Sequence, residues 1–108
     1  MSGILDFLGR ECGLAVTGGM GTSIEDAIIL HPSEEGIIDL EYQVITELLM
    51  KENRVWELKS QELLTPNFCK YDRFEVYTAL KDESGKLVEN SVDLREFFFD
   101  INLVYGGY

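Results

Sequence analysis

Carboxylates are the residues of this sequence best able to do chemistry, and one of them stands where a charge is hard to keep. Stepping ~100° per residue along a helix places Glu41 near the centre of the apolar stripe made by Ile37, Val44, Ile45 and Leu48. A buried carboxylate left unpaired is costly, so it finds a partner or takes up a proton. Three placements satisfy Glu41. It can bond an Arg, Lys or Tyr hydroxyl from a sheet, it can line a small polar pocket, or the helix can be rotated to bring it to water. Burial with a hydrogen-bond partner is the expectation. As a chemical group it would work with a second acid, Asp72 or Asp100, near the Gly18–Ser23 loop, as in a small-ligand site or a carboxylate-based hydrolase.

Other constellations are weaker. Glu57-Leu58-Lys59 after a helix carrying Glu41 has the E-x-K form of metal-dependent nuclease cores, where carboxylates hold the ion and Lys supports the water nucleophile. Such a core needs an Asp on an earlier strand of the same hairpin, and here the E-x-K strand follows the helix directly. Thr17-Gly18-Gly19-Met20-Gly21-Thr22-Ser23 is rich enough in glycine to cradle a phosphate, yet it has neither a Lys before Thr22 nor G-x-G-x-x-G spacing. A connector capped by Thr22 or Ser23 is the expectation there. His31, the one histidine, sits in a His-Pro turn with no nucleophile in view, and three Cys and His residues so scattered do not make a zinc site. No cofactor and no metal are expected.

The elements that must position these residues follow from periodicity. Ile4, Leu5, Phe7 and Leu8 behind Ser2 predict a short N-terminal helix closed by Gly13. Asp26–Leu30, rich in β-branched residues and stopped by His31-Pro32, predicts a buried strand. Ser33 is a good N-cap, with Glu34 and Glu35 in the first turn of a long helix running to about Glu52. The period then drops to about two, with strands over about 55–64, over Arg73–Leu80 and over Leu94–Ile101, the last carrying Phe97-Phe98-Phe99. The fold class is therefore α+β, order (α)-β-α-β-β-β, with an antiparallel sheet of about four strands covered on one face by one long helix. The 108 residues make a single domain, with 1–20 peripheral and 102–108 a loose tail.

Charge narrows the partners. Residues 1–50 carry nine carboxylates against Arg10 alone, a net of −8, within a total of −11. Nucleic acid and anionic membranes would be repelled, whereas a basic protein would be steered in. On the face of the helix opposite its apolar stripe, Glu35, Asp39 and Glu47 form a negative stripe with Tyr42, Gln43, Thr46 and Met50 among them. Such a face is commonly a solvated, solubilising one; the sharper expectation is a docking face, with Tyr42 and Met50 as its apolar contacts. No stretch approaches the ~20 apolar residues of a membrane span. The run Ile4–Leu8 is interrupted by Asp6 and lacks a basic flank, which predicts no secretory signal and a cytoplasmic location. Cys12 and Cys69 are expected as unpaired thiols.

Read in order, Gly21-Thr22-Ser23-x-Glu25-Asp26-Ala27-Ile28, Leu40-Glu41-Tyr42, Ser60-Gln61-x-Leu63-Leu64, Tyr71-Asp72 and Phe98-Phe99-Asp100-Ile101 give the chain a pattern that resembles a set of small bacterial α+β domains without an assigned activity. The resemblance implies that residues 21–101 form one compact unit, and it carries no function or site across. What the residues themselves predict is a non-enzymatic interaction domain for a basic protein, similar in size and charge to small acidic immunity proteins. A homodimer through the Phe97–Phe99 strand is compatible with it.

Overall fold

The structure, a computed structural model, describes residues 15–105. The N-terminal helix expected over Ile4–Leu8, Cys12 and the tail residues 106–108 lie outside the described residues. The class is α+β, with one helix and a mixed five-stranded sheet in place of four antiparallel strands. In chain order the elements are β1 (Val16–Gly18), β2 (Ile28–Leu30), α1 (Ile37–Met50), β3 (Arg54–Leu64), β4 (Tyr71–Leu80) and β5 (Asp93–Asp100), and the sheet order is β1-β2-β5-β4-β3. The mixed character follows from counting reversals. From β2 the chain turns back through α1, then reverses into β3, β4 and β5, so β5 ends up running the same way as β2. The two pair in parallel through Ile28↔Phe99 and Ile29↔Asp100.

β1 overlaps the glycine-rich segment expected to be a connector, sharing Thr17 and Gly18 with it. Its three residues pair with β2 as Val16↔Leu30, Thr17↔Ile29 and Gly18↔Ile28. His31 completes this corner, its amide donating to the Ala15 carbonyl at 2.9 Å and its Nε2 lying 2.7 Å from the Thr17 hydroxyl. The glycines are there because the two chains nearly touch. Gly18 has φ +98, and a Cβ on it would lie 2.8 Å from the Ala27 carbonyl oxygen, while one on Gly19 would collide with the Asp26 carbonyl. Gly19→Ala should therefore destabilise by roughly 1–3 kcal/mol, read as a lower urea midpoint with unchanged m.

The helix begins three residues later than expected. Ser33 does not cap it. The Ser33 hydroxyl accepts the Glu35 amide at 3.2 Å in a local turn, and Gly36 takes the N-cap position without a side-chain cap, leaving Asp39 as the acid of the first turn. Both residue types compete for such positions, and a Ser held in its own turn cannot also serve the helix. The helix buries Leu40, Glu41, Val44, Ile45, Leu48 and Leu49 against Ile28 and Leu30 of β2, Phe74 and Val76 of β4, and Phe97 and Phe99 of β5. Phe74 meets Phe99 edge to face, centroids 5.5 Å apart.

β5 is thus an inner strand, with Phe97 and Phe99 under the helix and only Phe98 turned to the other face. A dimer formed through that strand would need an edge that β2 and β4 already occupy in part. The long edge belongs to β3, where a bulge between Leu58 and Ser60 and the charged Glu57, Lys59 and Glu62 interrupt a continuous pairing surface. Residues 102–105 are tied rather than loose. Asn102 bonds Lys70 and Asp100, the Val104 and Tyr105 amides donate to the Ile101 carbonyl, and Val104 packs on the core. Among the described residues no helix is long and apolar enough to cross a membrane.

Candidate functional site

Alternation along β4 decides which acids meet. Asp72, Phe74, Val76 and Thr78 face the helix, whereas Tyr71, Arg73, Glu75 and Tyr77 face away. Asp72 is 7% exposed, and Glu41 on the helix is 0% exposed. Their carboxyls form a buried pair between α1 and the sheet. Neither Glu41 oxygen has a partner at ordinary hydrogen-bond geometry among the described residues, and the polar group that acts on it is Asp72, in a looser contact. The expected Arg, Lys or Tyr partner is therefore replaced by a second acid. Burial first, and then the neighbouring Asp72, push Glu41 up to about 10, so it holds its proton at neutral pH.

Asp100 does not join them. It falls on the opposite face of the sheet, where it accepts the Asn102 amide at 3.0 Å and the Asn102 side chain at 2.7 Å. The E-x-K residues are equally separated from Glu41. Trp56 faces the helix and donates its indole N–H to the Thr46 hydroxyl at 3.0 Å, which turns Glu57 outward, and Lys59 pairs with Glu75 on that outer face at 2.9 Å. No nuclease-like group assembles from Glu41, Glu57 and Lys59. The glycine-rich loop is also spoken for: the Gly19 and Gly21 amides donate to Ala27 and Asp26 carbonyls, while the Asp26 carboxylate accepts the Thr22 and Ser23 hydroxyls and the Ser23 amide. Those bonds, the Thr22 hydroxyl foremost, hold Asp26 below the usual carboxylate range. Its amides are not left to cradle an anion. Among the described residues no three His, Cys, Asp or Glu side chains are placed to hold a metal ion, and Cys69 is a free thiol.

A groove of about 400 Å³ opens over Asp72. Its walls are Ile37 and Ile38 of the first helical turn, Leu63 of β3, Ile101 and Tyr105, with Asp39 and Gln61 as further polar groups. A second depression of about 290 Å³ on the other side of the same turn is bordered by Glu34 and Glu35. The N-terminal end of α1 is thus flanked by two hollows with acids at each.

The arginines of the described residues are each paired with carboxylates. On the outer sheet face Arg73 bonds Glu96 and lies 3.8 Å from both Glu62 and Glu75, and at the far end of the helix Arg95 binds Glu52 through both carboxylate oxygens at 3.1 and 2.6 Å. Arg54, 3.5 Å from the same Glu52, completes the arginines of the described residues. Among these residues no basic side chain pairs with Glu34, Glu35, Asp39 or Asp72, and Glu35 has only the Gln43 amide, at 3.1 Å.

The expected docking stripe is accordingly split. Glu35 and Asp39 are exposed and unneutralised, and Gln43 and Glu47 are half-buried, with Glu47 engaged in an interaction of its own. Tyr42 is not an outward contact: it packs edge to face on Trp56 at 5.2 Å and on Phe74 at 5.9 Å. Thr46 belongs to the same helix–β3 seam, and Met50 is exposed at the opposite end. One residue went unnoticed in the sequence. Phe68, in the β3–β4 turn, is 97% exposed and has φ +68, a left-handed conformation rare for a bulky side chain. Leu63 and Asp72 adjoin both that turn and the groove, which sets Phe68 at the acidic end. Pro66-Asn67 marks the turn, but nothing in the sequence marks the phenylalanine as exposed.

Comparison of the chain with protein-family models, with curated proteins and with solved structures returns no match.

Proposed function

We propose that this domain is a non-enzymatic interaction module that takes a basic protein at the N-terminal end of its helix, in the manner of small acidic inhibitors of basic toxins or nucleases. The observation that supports it is a cluster of acids around two hollows: Glu34, Glu35, Asp39 and Asp72 border them at the N-terminal end of the helix and have no basic partner among the described residues, while the arginines pair with carboxylates elsewhere. Opposite potentials steer association and fix its register, and exposed Phe68 in the β3–β4 turn offers an aromatic contact. The alternative, a carboxylate-based hydrolase or small-ligand site, is favoured by the Glu41–Asp72 pair. Glu41 has no accessible surface, however, and so cannot itself hand a proton to a substrate in the groove.

Location separates a docking site from a diffuse field. Two triple variants with the same change in net charge, Glu34→Gln/Glu35→Gln/Asp39→Asn and Glu57→Gln/Glu83→Gln/Glu89→Gln, are titrated with an arginine-glycine repeat peptide. The first is expected to weaken binding roughly tenfold and the second less than about twofold. Equal losses would mean that the peptide senses only total charge.

A further inference from the structure

The groove over Asp72 is built differently from an ordinary patch of surface acid. Asp72 is more than nine-tenths buried, lies on a strand in the middle of the fold, and receives no N–H or O–H from any described residue except by its loose contact with the Glu41 carboxyl. Glu41 behind it has no exposed surface and two unpartnered oxygens. Asp72 keeps some accessible surface and lines the groove, whereas Glu41 does not, so a ligand that brings donors and a positive charge can reach the Asp72 carboxylate. The walls suit the rest of such a ligand, because Ile37, Ile38, Leu63 and Ile101 can cover an alkyl stem while its charged head reaches the floor.

We infer that this groove is the seat of one basic side chain of the partner, a guanidinium or an ammonium, with Asp72 as its counter-ion and Asp39 at the lip. The inference rests on the interaction-module reading and names the contact at its centre. A divalent ion is a poorer fit, since no three candidate ligands converge among the described residues. The charged groups around the site leave it negative. The first-turn amides of α1 contribute about half a positive charge at the lip, which does not offset two carboxylates. Lys70 stands over the ring of Tyr105, which also lines the groove, 5.6 Å from its centroid, and makes no ion pair with Asp72 or Asp39 among the described residues. Glu41, neutral, adds no charge.

The test uses N-acetyl-argininamide as probe and its neutral isostere N-acetyl-citrullinamide as control, followed by backbone amide shifts of the full chain. Argininamide should shift amides of Gly36–Asp39, Gln61–Leu63, Asp72 and Ile101, and citrullinamide should not. Asp72→Asn should weaken binding at least about tenfold and Glu41→Gln less than about twofold, because the counter-ion is lost only in the first. Leu63 stands directly across from Asp72 in the sheet, so Leu63→Lys should occupy the seat from within and abolish probe binding in a folded protein. Shifts scattered over the surface, equal shifts with citrullinamide, or undiminished binding to Asp72→Asn and Leu63→Lys would overturn the seat. If argininamide misses the groove while the arginine-glycine peptide still depends on Glu34, Glu35 and Asp39, the seat is wrong and the module reading stands. Loss of both overturns both.

Discussion

Replacing Glu41 by leucine should stabilise the protein at pH 7.5 by about 2–4 kcal/mol and flatten its stability between pH 5 and 8. The sign follows from the proton. In the unfolded chain Glu41 ionises near its ordinary 4.5, while in the folded protein burial and Asp72 hold the proton up to about 10. Folding therefore binds a proton anywhere between those values, so its contribution is intact below pH 4.5 and drains away as pH rises, by at most about 1.4 kcal/mol per unit. Carboxylates held low by partners act in the opposite sense. Glu52 is lowered chiefly by Arg95, Glu75 by Lys59 and Asp82 by Ser84, and their contribution is lost only as pH falls below the ordinary carboxylate range. Above pH 5 the slope belongs to Glu41. Removing its contact with Asp72 costs about 1 kcal/mol, less than the relief of a buried, unpartnered carboxyl. Glu41→Gln should lose the slope without the full gain. Urea midpoints for the three proteins at pH 5, 6.5 and 8 settle the matter, and a leucine variant less stable than the parent at pH 8 would contradict it.

Phe99→Ala should cost about 3–5 kcal/mol, a large part of the stability of a domain this size, whereas Phe98→Ala should cost less than about 1.5 kcal/mol. The two are neighbours in the chain and on opposite faces of β5. Phe99 is fully buried, pairs with Ile28 and Asp72 across its two strand neighbours, and meets Phe74 edge to face. Phe98 is half-buried on the outer face. Guanidinium unfolding of both variants distinguishes them, and similar losses would mean that the helix does not rest on the Phe97/Phe99 side.

The residues that could be read correctly from the sequence are those whose environment is set by local period. Trp56, Phe74 and Val76 alternate, and Val44, Ile45 and Leu48 repeat helically, so the helix, β3, β4 and β5 were predictable to within a few residues. β1 was not, because three residues ending in Gly18 have no period and gain their place only by pairing with β2. Nor was the direction of β5, which depends on where the meander docks. Ser33 had the right chemistry for a cap and used it on Glu35. Burial of Glu41 could be foreseen from one helix, but its neighbour could not. That Asp72 rather than Asp100 meets it depends on which face of the sheet the helix covers, and the two candidates fall on opposite faces. Tyr42 and Thr46 of the expected stripe are drawn into the helix–β3 seam for a similar reason. A helix edge that looks polar in isolation can be claimed by an aromatic on the next strand, here Trp56.

A neutral glutamic acid standing behind an acidic groove floor underlies both the stability and the binding expectations, and carbon-13 NMR of the Glu41 side-chain carboxyl measures it directly. With the protein labelled at glutamate, the Glu41 carboxyl resonance, assigned through Glu41→Gln, should stay at its protonated position from pH 5 to pH 8 while the surface glutamates have already titrated. A Glu41 resonance that titrates with those surface groups, below about pH 6, would contradict the account.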